Sequence, residues 1–144
     1  MYDEAGHIIG EYASNGALIE ETVWMGDTPV ATIMPSGSSI AVYYIHKDHL
    51  GTPRKITNSS NQLRWRWDPD TFGSVGPNTN PSGLGTFNYN LRFPGMYARN
   101  ETAQFQNYFR EYDPGTGRHV HNQKAEVRCL TPWVGGTAST GLIK

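Results

Sequence analysis

Glycine and proline interrupt the sequence so often that no apolar pattern with a 3.6-residue period persists over three helical turns. The chain has 144 residues, of which 16 are glycine and 9 are proline, and these residue types break or end helices. Eight tyrosines and four tryptophans add the aromatic side chains that are common in strands. This combination predicts an all-β fold of short strands joined by tight turns.

Polar turn segments alternate along the chain with short runs of β-branched and aromatic residues. The turn segments are 2–6, 15–16, 58–61 and 112–118. Each of the first three leads directly into a strand-like run. One hairpin cannot bury a core by itself, so repeated hairpins stabilise one another. The pattern therefore predicts a repeat architecture of consecutive antiparallel β-hairpins.

The segment 62–67 is the clearest strand because its residue types alternate. Leu63, Trp65 and Trp67 fall on one face, and Gln62, Arg64 and Arg66 fall on the other. We expect the tryptophans to face a core and the arginines to face solvent. A single-stranded nucleic-acid platform would combine cations with stacking aromatics on one surface. The alternation separates these two types and disfavours that alternative.

The length fits one domain, since compact domains usually contain about 100–150 residues. The segment 73–85 contains turn formers and little to bury, and we interpret it as a surface loop or insertion. The repeat pattern stops after Arg118. The remaining 26 residues, 119–144, are too few for an independent core. We predict a divergent, poorly ordered tail there.

The charge balance limits the partners that the chain can attract. Lys and Arg total 12 against 13 Asp and Glu, a net charge of −1, so no strong field favours nucleic acid or anionic lipid. No apolar stretch approaches the roughly 18 residues of a membrane span, and the first residues do not resemble a signal peptide. The single cysteine, Cys129, excludes an internal disulfide framework and a multi-cysteine metal site. We expect no nucleic-acid partner and no membrane insertion, and the compartment stays open.

Two blocks of the sequence closely resemble one known family. The first block runs from Tyr43 to Arg54 and the second from Asn90 to Arg118. Both are similar to the Rhs repeat-associated core of the YD-repeat family, and the likeness extends over about 2–118. The residues that carry it are His46, Asp48, His49, Leu50, Gly51, Thr52, Pro53, Arg92, Phe93, Pro94, Gly95, Tyr97, Asn107, Arg110, Tyr112, Asp113, Pro114, Gly117 and Arg118.

The resemblance implies a spiral of β-hairpins that forms part of a hollow shell, or cocoon. In bacterial relatives such a shell encloses a C-terminal toxin, and in animal teneurins it belongs to a cell-surface adhesion molecule. The implied partners are the remaining repeats and a C-terminal toxin or cargo polypeptide. The full-length family is expected to be secreted or at the cell surface. We also expect an isolated fragment to associate with itself through unpaired strand edges.

The sequence departs from the family pattern at two places. Ala103 stands where the family usually has Gly after Glu-Thr, so a turn that needs positive φ would be strained or rebuilt there. The Asp-Pro-x-Gly-Leu motif that begins the family's self-cleaving plug is replaced by 119–122. Neither Asp68 nor Asp113, each followed by Pro, continues as that motif, so no protease residue has a counterpart. These features suggest a truncated or frameshifted chain, and an unrelated natural tail is the alternative.

Candidate reactive residues also have structural explanations. His46, Asp48 and His49 could present metal ligands, but on an extended strand His49 points away from the other two. Asp48 is well placed to accept hydrogen bonds in the turn at Gly51. Ser59, Cys129, His119 and His121 are ingredients of nucleophilic catalysis without a nucleophile elbow. We predict no catalytic, cofactor or metal site.

Two alternatives to a structural shell segment stay open. Exposed Trp24, Trp65, Trp67 and Trp133 could stack on sugar rings in a carbohydrate or cell-surface binding module. Alternatively, 119–144 could be the remnant of a toxin or protease tail. No paired acid and base occurs in that tail, which disfavours the enzymatic alternative.

Overall fold

The structure is a computed structural model that describes residues 1–107 and 110–120. Ten strands form two antiparallel sheets, and the described residues contain no helix, including none that could cross a membrane. The first sheet contains β1 (Gly10–Tyr12), β2 (Leu18–Met25), β3 (Thr28–Ser36), β4 (Ser39–Lys47), β5 (Pro53–Thr57) and β6 (Leu63–Arg66) in that order. The second contains β7 (Tyr97–Arg99), β8 (Gln104–Asn107), β9 (Arg110–Asp113) and β10 (Arg118–Val120).

Within each sheet, strands that pair are neighbours in the chain. All of these pairs are antiparallel, and four of the five pairs in the first sheet contain a register shift. Such irregularities increase the local twist of a sheet. The prediction of an all-β fold made of consecutive antiparallel hairpins is confirmed.

The extended segment 86–93 crosses from the first sheet to the second and covers the inner face of the first. Its side chains alternate, so that Phe87, Tyr89 and Leu91 are buried. The ring of Phe87 lies 4.7 Å from that of Tyr43, and the ring of Tyr89 lies 5.6 Å from that of Trp65. This segment therefore supplies the second layer of the core.

Trp65 and Trp67 are fully buried, as the alternation of 62–67 predicted. Trp67 contacts the rings of Phe93 and Phe105, with centroids 5.2 and 6.2 Å away. Phe105 belongs to β8, so the aromatic cluster joins the two sheets. Burying one large apolar side chain contributes about 1.5–3 kcal/mol to stability, and these tryptophans are consequently major contributors.

Arg64 differs from the prediction that the arginines of this strand face solvent. It is half-buried, and its Cζ atom lies 5.9 Å from the centre of the Phe87 ring. Its Nε atom is buried without a hydrogen-bond partner among the described residues. The cause is the segment 86–93, which returns across the sheet and covers Arg64. Arg66 is exposed, as predicted, and pairs with Asp68.

The segment 73–85 is largely exposed but is tied to the first sheet at two points. Main-chain hydrogen bonds of 3.0 and 2.8 Å join Arg66 to Asn78, and the Trp67 indole N–H donates to the Val75 carbonyl at 2.6 Å. At the other end of the chain, His119 and Val120 belong to β10. The rest of the predicted tail lies outside the described residues.

Candidate functional site: the repeated turns and the sheet junction

One turn geometry recurs along the first half of the chain. An Asp or Asn side-chain oxygen accepts a hydrogen bond from the main-chain N–H four residues later. These acceptor and donor pairs are Asp3 and His7 (2.8 Å), Asp48 and Thr52 (3.0 Å), Asn58 and Gln62 (2.9 Å), and Asp70 and Ser74 (2.6 Å). The polar residue in each repeat therefore satisfies the main chain of its own turn.

The third residue after each Asp or Asn has a left-handed conformation. Its φ is +87° at Gly6, +86° at Gly51, +59° at Asn61 and +80° at Gly73. Only Gly, and to a lesser extent Asn, adopts this conformation at little cost. The repeated turn therefore has the sequence pattern Asx-x-x-Gly/Asn. Because these residue types are polar or lack a side chain, the turns form the polar segments of the sequence.

The first family block is one of these turns. Asp48 also accepts from the Leu50 N–H at 2.9 Å, and its other oxygen lies 3.8 Å from Nε of Arg54. The side chain of His49 is exposed, whereas His46 Nε2 lies 3.0 Å from the Thr57 hydroxyl. The three candidate metal ligands therefore have separate neighbours. Leu50 is exposed, Gly51 is half-buried, and Thr52 and Pro53 are buried.

The second family block begins with a tight turn beside the aromatic core. The Arg92 N–H donates to the Met96 carbonyl at 2.9 Å, and Gly95 has a φ of +74°. Pro94 is exposed and Phe93 is half-buried. The Arg92 side chain is only 5% exposed, and burial lowers its pKa to about 10. No local pattern in the sequence indicates that this arginine is buried.

Tyr97 connects the two sheets through its hydroxyl group. The hydroxyl donates to Glu11 of β1 at 2.6 Å and accepts from the Asn90 amide at 3.0 Å. Burial raises the pKa of Tyr97, and the hydrogen bond to Glu11 raises it further. A cleft of about 750 Å³ lies beside this contact, with Glu11, Tyr97 and Arg99 in its walls. The junction between the sheets is therefore polar and open to solvent.

The last family residues form the turn between β9 and β10. Asp113 accepts from the Gly115 N–H and from the Thr116 hydroxyl, each at 2.9 Å, and the Gly117 N–H donates to the Asp113 carbonyl. The Tyr112 hydroxyl donates to the Phe72 carbonyl at 3.0 Å. Other family residues nearby are Asn107 and Arg110, which pair in register, the buried Pro114 and the exposed Arg118.

The other candidate residues do not converge on one site. Ser59 is exposed within a turn, and the ring of His119 packs 5.3 Å from that of Tyr112. Trp24 is half-buried and stacks on His7, with ring centroids 4.4 Å apart. His121, Cys129 and Trp133 lie outside the described residues.

Two charged residues that the sequence did not single out have specific partners. His7 Nδ1 lies 2.9 Å from Asp3 and Nε2 lies 3.1 Å from Asp27. The hydrogen bond to Asp3 raises the pKa of His7. Glu20 is buried and accepts from the Thr32 hydroxyl at 2.9 Å. The Asp3 turn motif could have indicated the first contact, because the turn brings His7 back to Asp3.

Comparison with known proteins supports one family assignment. The family described as RHS protein matches residues 42–79, a range that contains the Asp48 turn and β5 and β6. The toxin protein Tse5 of Pseudomonas aeruginosa is 33% identical over 90 residues, which are 62% of this chain and 6% of Tse5. The double-stranded DNA deaminase toxin A of Burkholderia cenocepacia is 29% identical over 98 residues, 67% of this chain and 7% of that protein.

A third relative is the protein YibJ of Escherichia coli, 28% identical over 79 residues, which are 55% of this chain and 33% of YibJ. The matched region covers only 6–7% of the two toxin proteins and a third of YibJ. The family match at 42–79 includes the turns at Asp48, Asn58 and Asp70. These matches support an Rhs family assignment for this chain and show its similarity to two toxin proteins.

Proposed function

We propose that the chain is a wall segment of an Rhs-type shell that encloses or presents a neighbouring toxin or cargo polypeptide. It acts mechanically and performs no chemistry itself. The observation that carries this proposal is the arrangement of consecutive hairpins, each closed by its own turn and paired only with chain neighbours. Such an arrangement extends by adding further hairpins at its edges, as repeat proteins do.

The strand edges support the proposal. β10 is the outer strand of the four-stranded sheet, and in the described part of the chain no strand pairs with its other side. β1 is an outer strand of the six-stranded sheet, and in the described part of the chain no named strand pairs with its other side. A free edge presents unpaired N–H and C=O groups to another strand. In a longer protein, adjacent repeats would occupy these edges.

The outer face of the first sheet also supports a role as a wall. Ile19, Val23, Ile40, Val42 and Tyr44 are 38–61% exposed. The pairings of Glu21 with Ile33 and of Ile33 with Val42 place these side chains on one face. An exposed apolar face of this kind is typical of a surface that contacts another polypeptide.

The edge proposal can be tested by substitution at β10. Val120→Lys places a charge on the free edge strand, whereas Leu84→Lys places one in a loop at a residue of equal exposure, 41% against 39%. Sedimentation velocity of the wild-type chain should show concentration-dependent association. We expect Val120→Lys to shift the chain towards monomer and Leu84→Lys to leave the association unchanged. A wild-type chain that is monomeric at high concentration would count against the proposal.

The absence of chemistry is tested separately. In the second half of the chain, Asp113 uses its carboxylate within its own turn. Purified chain should therefore remain intact over hours, and Asp113→Asn should not change the mass spectrum of the sample. Self-cleavage that Asp113→Asn stops would require an enzymatic function instead.

The carbohydrate alternative needs tryptophans with accessible ring faces. Trp65 and Trp67 are fully buried, and Trp24 stacks on His7. In a Trp133→Phe background, iodide should quench the tryptophan emission far less in the folded chain than in urea. Equal quenching in the two conditions would favour exposed aromatic rings and a binding module.

A further inference from the structure

A second cleft lies between the loop that follows β6 and the turn that joins β7 to β8. Its volume is about 220 Å³. Residues 73–77, together with Arg92, Arg99 and Asn100, line it, and no Asp or Glu is among the described residues of the lining. A water molecule occupies about 30 Å³ in the liquid, so the cleft fits a small polar group. The lining therefore contains two cationic side chains and no acidic one, and of these two cations Arg99 has Glu111 nearby.

Arg92 is one of the two cationic residues that line this cleft. Its side chain is 95% buried, since only 5% is exposed, and the described residues provide no ion pair for it. Its two hydrogen bonds both come from Nη1, to the Tyr89 carbonyl at 2.6 Å and the Leu91 carbonyl at 3.0 Å. The guanidinium carbon lies 5.3 Å from the centre of the Trp67 ring. The Nε and Nη2 edge therefore carries no hydrogen bond to the described residues.

This edge of a guanidinium has the geometry that matches a carboxylate. Nε–H and Nη2–H point in parallel and form a bidentate pair with two oxygens of a planar anion. A buried charge without a counter-ion is costly, so an anion at this edge would be bound favourably. The aromatic faces behind Arg92 hold the guanidinium in place.

Arg99 has a different role because it already has partners. Its Nε donates to Gln106 at 3.0 Å and its Nη1 lies 3.4 Å from Glu111. Its side chain is 43% exposed at the rim of the cleft, and the nearby Glu111 offsets part of the attraction that its charge has for an anion. Val75 and Phe105 provide apolar wall beside the two cations, which suits a flat anion attached to a methylene group.

We infer that this cleft binds a carboxylate on the Nε and Nη2 edge of Arg92, with Arg99 at the rim. The carboxylate comes either from a small free acid or from an Asp or Glu side chain of an adjoining polypeptide. This binding site is independent of the shell function proposed above, because it does not depend on the strand edges.

Tryptophan emission of the full chain reports occupancy, since Arg92 lies against Trp65 and Trp67. Titration with sodium succinate should change the tryptophan emission until the change saturates. Sodium chloride at equal ionic strength should not produce this saturable change. Arg92→Lys keeps the positive charge but removes the two parallel N–H donors of the guanidinium. We expect this variant to bind succinate at least tenfold more weakly. Arg66→Lys, at an exposed arginine outside the cleft, should bind within twofold of wild type. Equal midpoints of the succinate titrations for Arg92→Lys and wild type would overturn the inference. Equal titration curves with chloride and succinate would also overturn it.

A second pair of variants leaves the buried arginine in place. Val75→Glu puts a tethered carboxylate on the wall of the cleft, and Val75→Gln is its neutral match; Val75 is 51% exposed, so both changes are compatible with folding. The tethered carboxylate should compete with succinate, so we expect at least tenfold weaker succinate binding for Val75→Glu than for Val75→Gln. Equal affinities of the two variants would contradict a carboxylate site.

The source of the carboxylate is distinguished by the probe. A capped Gly-Asp-Gly peptide that binds at least as tightly as succinate, while the Gly-Asn-Gly peptide does not bind, would indicate a polypeptide side chain. Binding of succinate but of neither peptide would indicate a free acid. No binding by any of these probes, or tighter binding of inorganic phosphate than of succinate, would overturn the assignment.

Discussion

Glu11 of β1 lies directly opposite Glu20 of β2 in the antiparallel register of the first sheet. Two ionised carboxylates in such a cross-strand pair would repel each other. The structure separates their environments: Glu11 accepts from the Tyr97 hydroxyl at 2.6 Å, whereas Glu20 is buried beside Thr32. Burial, followed by the charge of Glu11, raises the pKa of Glu20 to about 8. This raised pKa favours the protonated form of Glu20 at neutral pH.

This pair predicts that the chain loses stability as the pH rises from about 4.5 to about 8. Over that range the unfolded chain releases the Glu20 proton and the folded chain keeps it, so the free energy of unfolding falls. The loss should be on the order of a few kcal/mol. Glu20→Gln stays neutral and keeps an acceptor for Thr32, so it should be less sensitive to pH and more stable than wild type at pH 8. Urea unfolding at several pH values measures both effects.

Glu101→Gln is the matched control, because Glu101 is exposed in the turn between β7 and β8. Its unfolding free energy should follow the wild-type pH dependence. Parallel pH profiles for Glu20→Gln and wild type would mean that Glu20 is ionised in the folded chain.

The turn between β7 and β8 predicts a stabilising substitution. Ala103 has a φ of +54°, which costs a non-glycine residue about 1–2 kcal/mol. Ala103→Gly removes this strain but adds chain entropy worth about 0.5–1 kcal/mol, so the net gain should be about 0.5–1 kcal/mol. Ala41→Gly in β4 has no strain to relieve and should be destabilising. The check is the urea midpoint at an unchanged m-value; a lower midpoint for Ala103→Gly would show that the turn is not strained.

The sequence could predict those features that depend on neighbours in the chain. Period-two alternation predicted that Trp65 and Trp67 face the core. The resemblance to a family that usually has Gly at this place predicted strain at Ala103 if the turn needs positive φ. The turn residues Asp48 and Gly51 could also be predicted, because a turn is closed by residues within a few positions of one another. These features involve short sequence separations.

The features that could not be predicted depend on contacts between distant segments. Arg64 is covered by Phe87, which follows the loop 73–85 in the chain. Arg92 is buried beside Trp67, whose ring also contacts Phe105 of β8. Apolar and polar residues alternate in 86–93, but alternation does not identify the face that the segment covers. Glu20 carries no local sign of burial, since its own strand has polar residues on both faces.

The close packing around Gly73 predicts that a substitution there strongly lowers the free energy of unfolding. A Cβ atom at this position would lie 2.7 Å from the Phe93 ring and 3.0 Å from the Phe105 ring. Gly83 also has positive φ, but no atom lies within 4 Å of its hypothetical Cβ. Gly83→Ala should therefore cost about 1 kcal/mol from backbone strain. Gly73→Ala adds overpacking and should cost about 3 kcal/mol in total. Equal unfolding midpoints for the two variants would show that the aromatic core has room at Gly73.

Substitutions in the Asp48 turn can distinguish a structural role of this turn from metal binding. Asp48 accepts N–H groups of Leu50 and Thr52, and the Thr52 side chain is buried. Asp48→Ala leaves these donors without their acceptor and should cost about 1–2 kcal/mol. His49→Ala, at the next residue, removes an exposed side chain and should change the unfolding free energy by less than about 0.5 kcal/mol. For each of the three chains, wild type and the two variants, the melting temperature measured with zinc should equal that measured with EDTA. If zinc raises the melting temperature of the wild-type chain and both substitutions abolish that rise, then His49 and Asp48 are metal ligands and the turn has a second role.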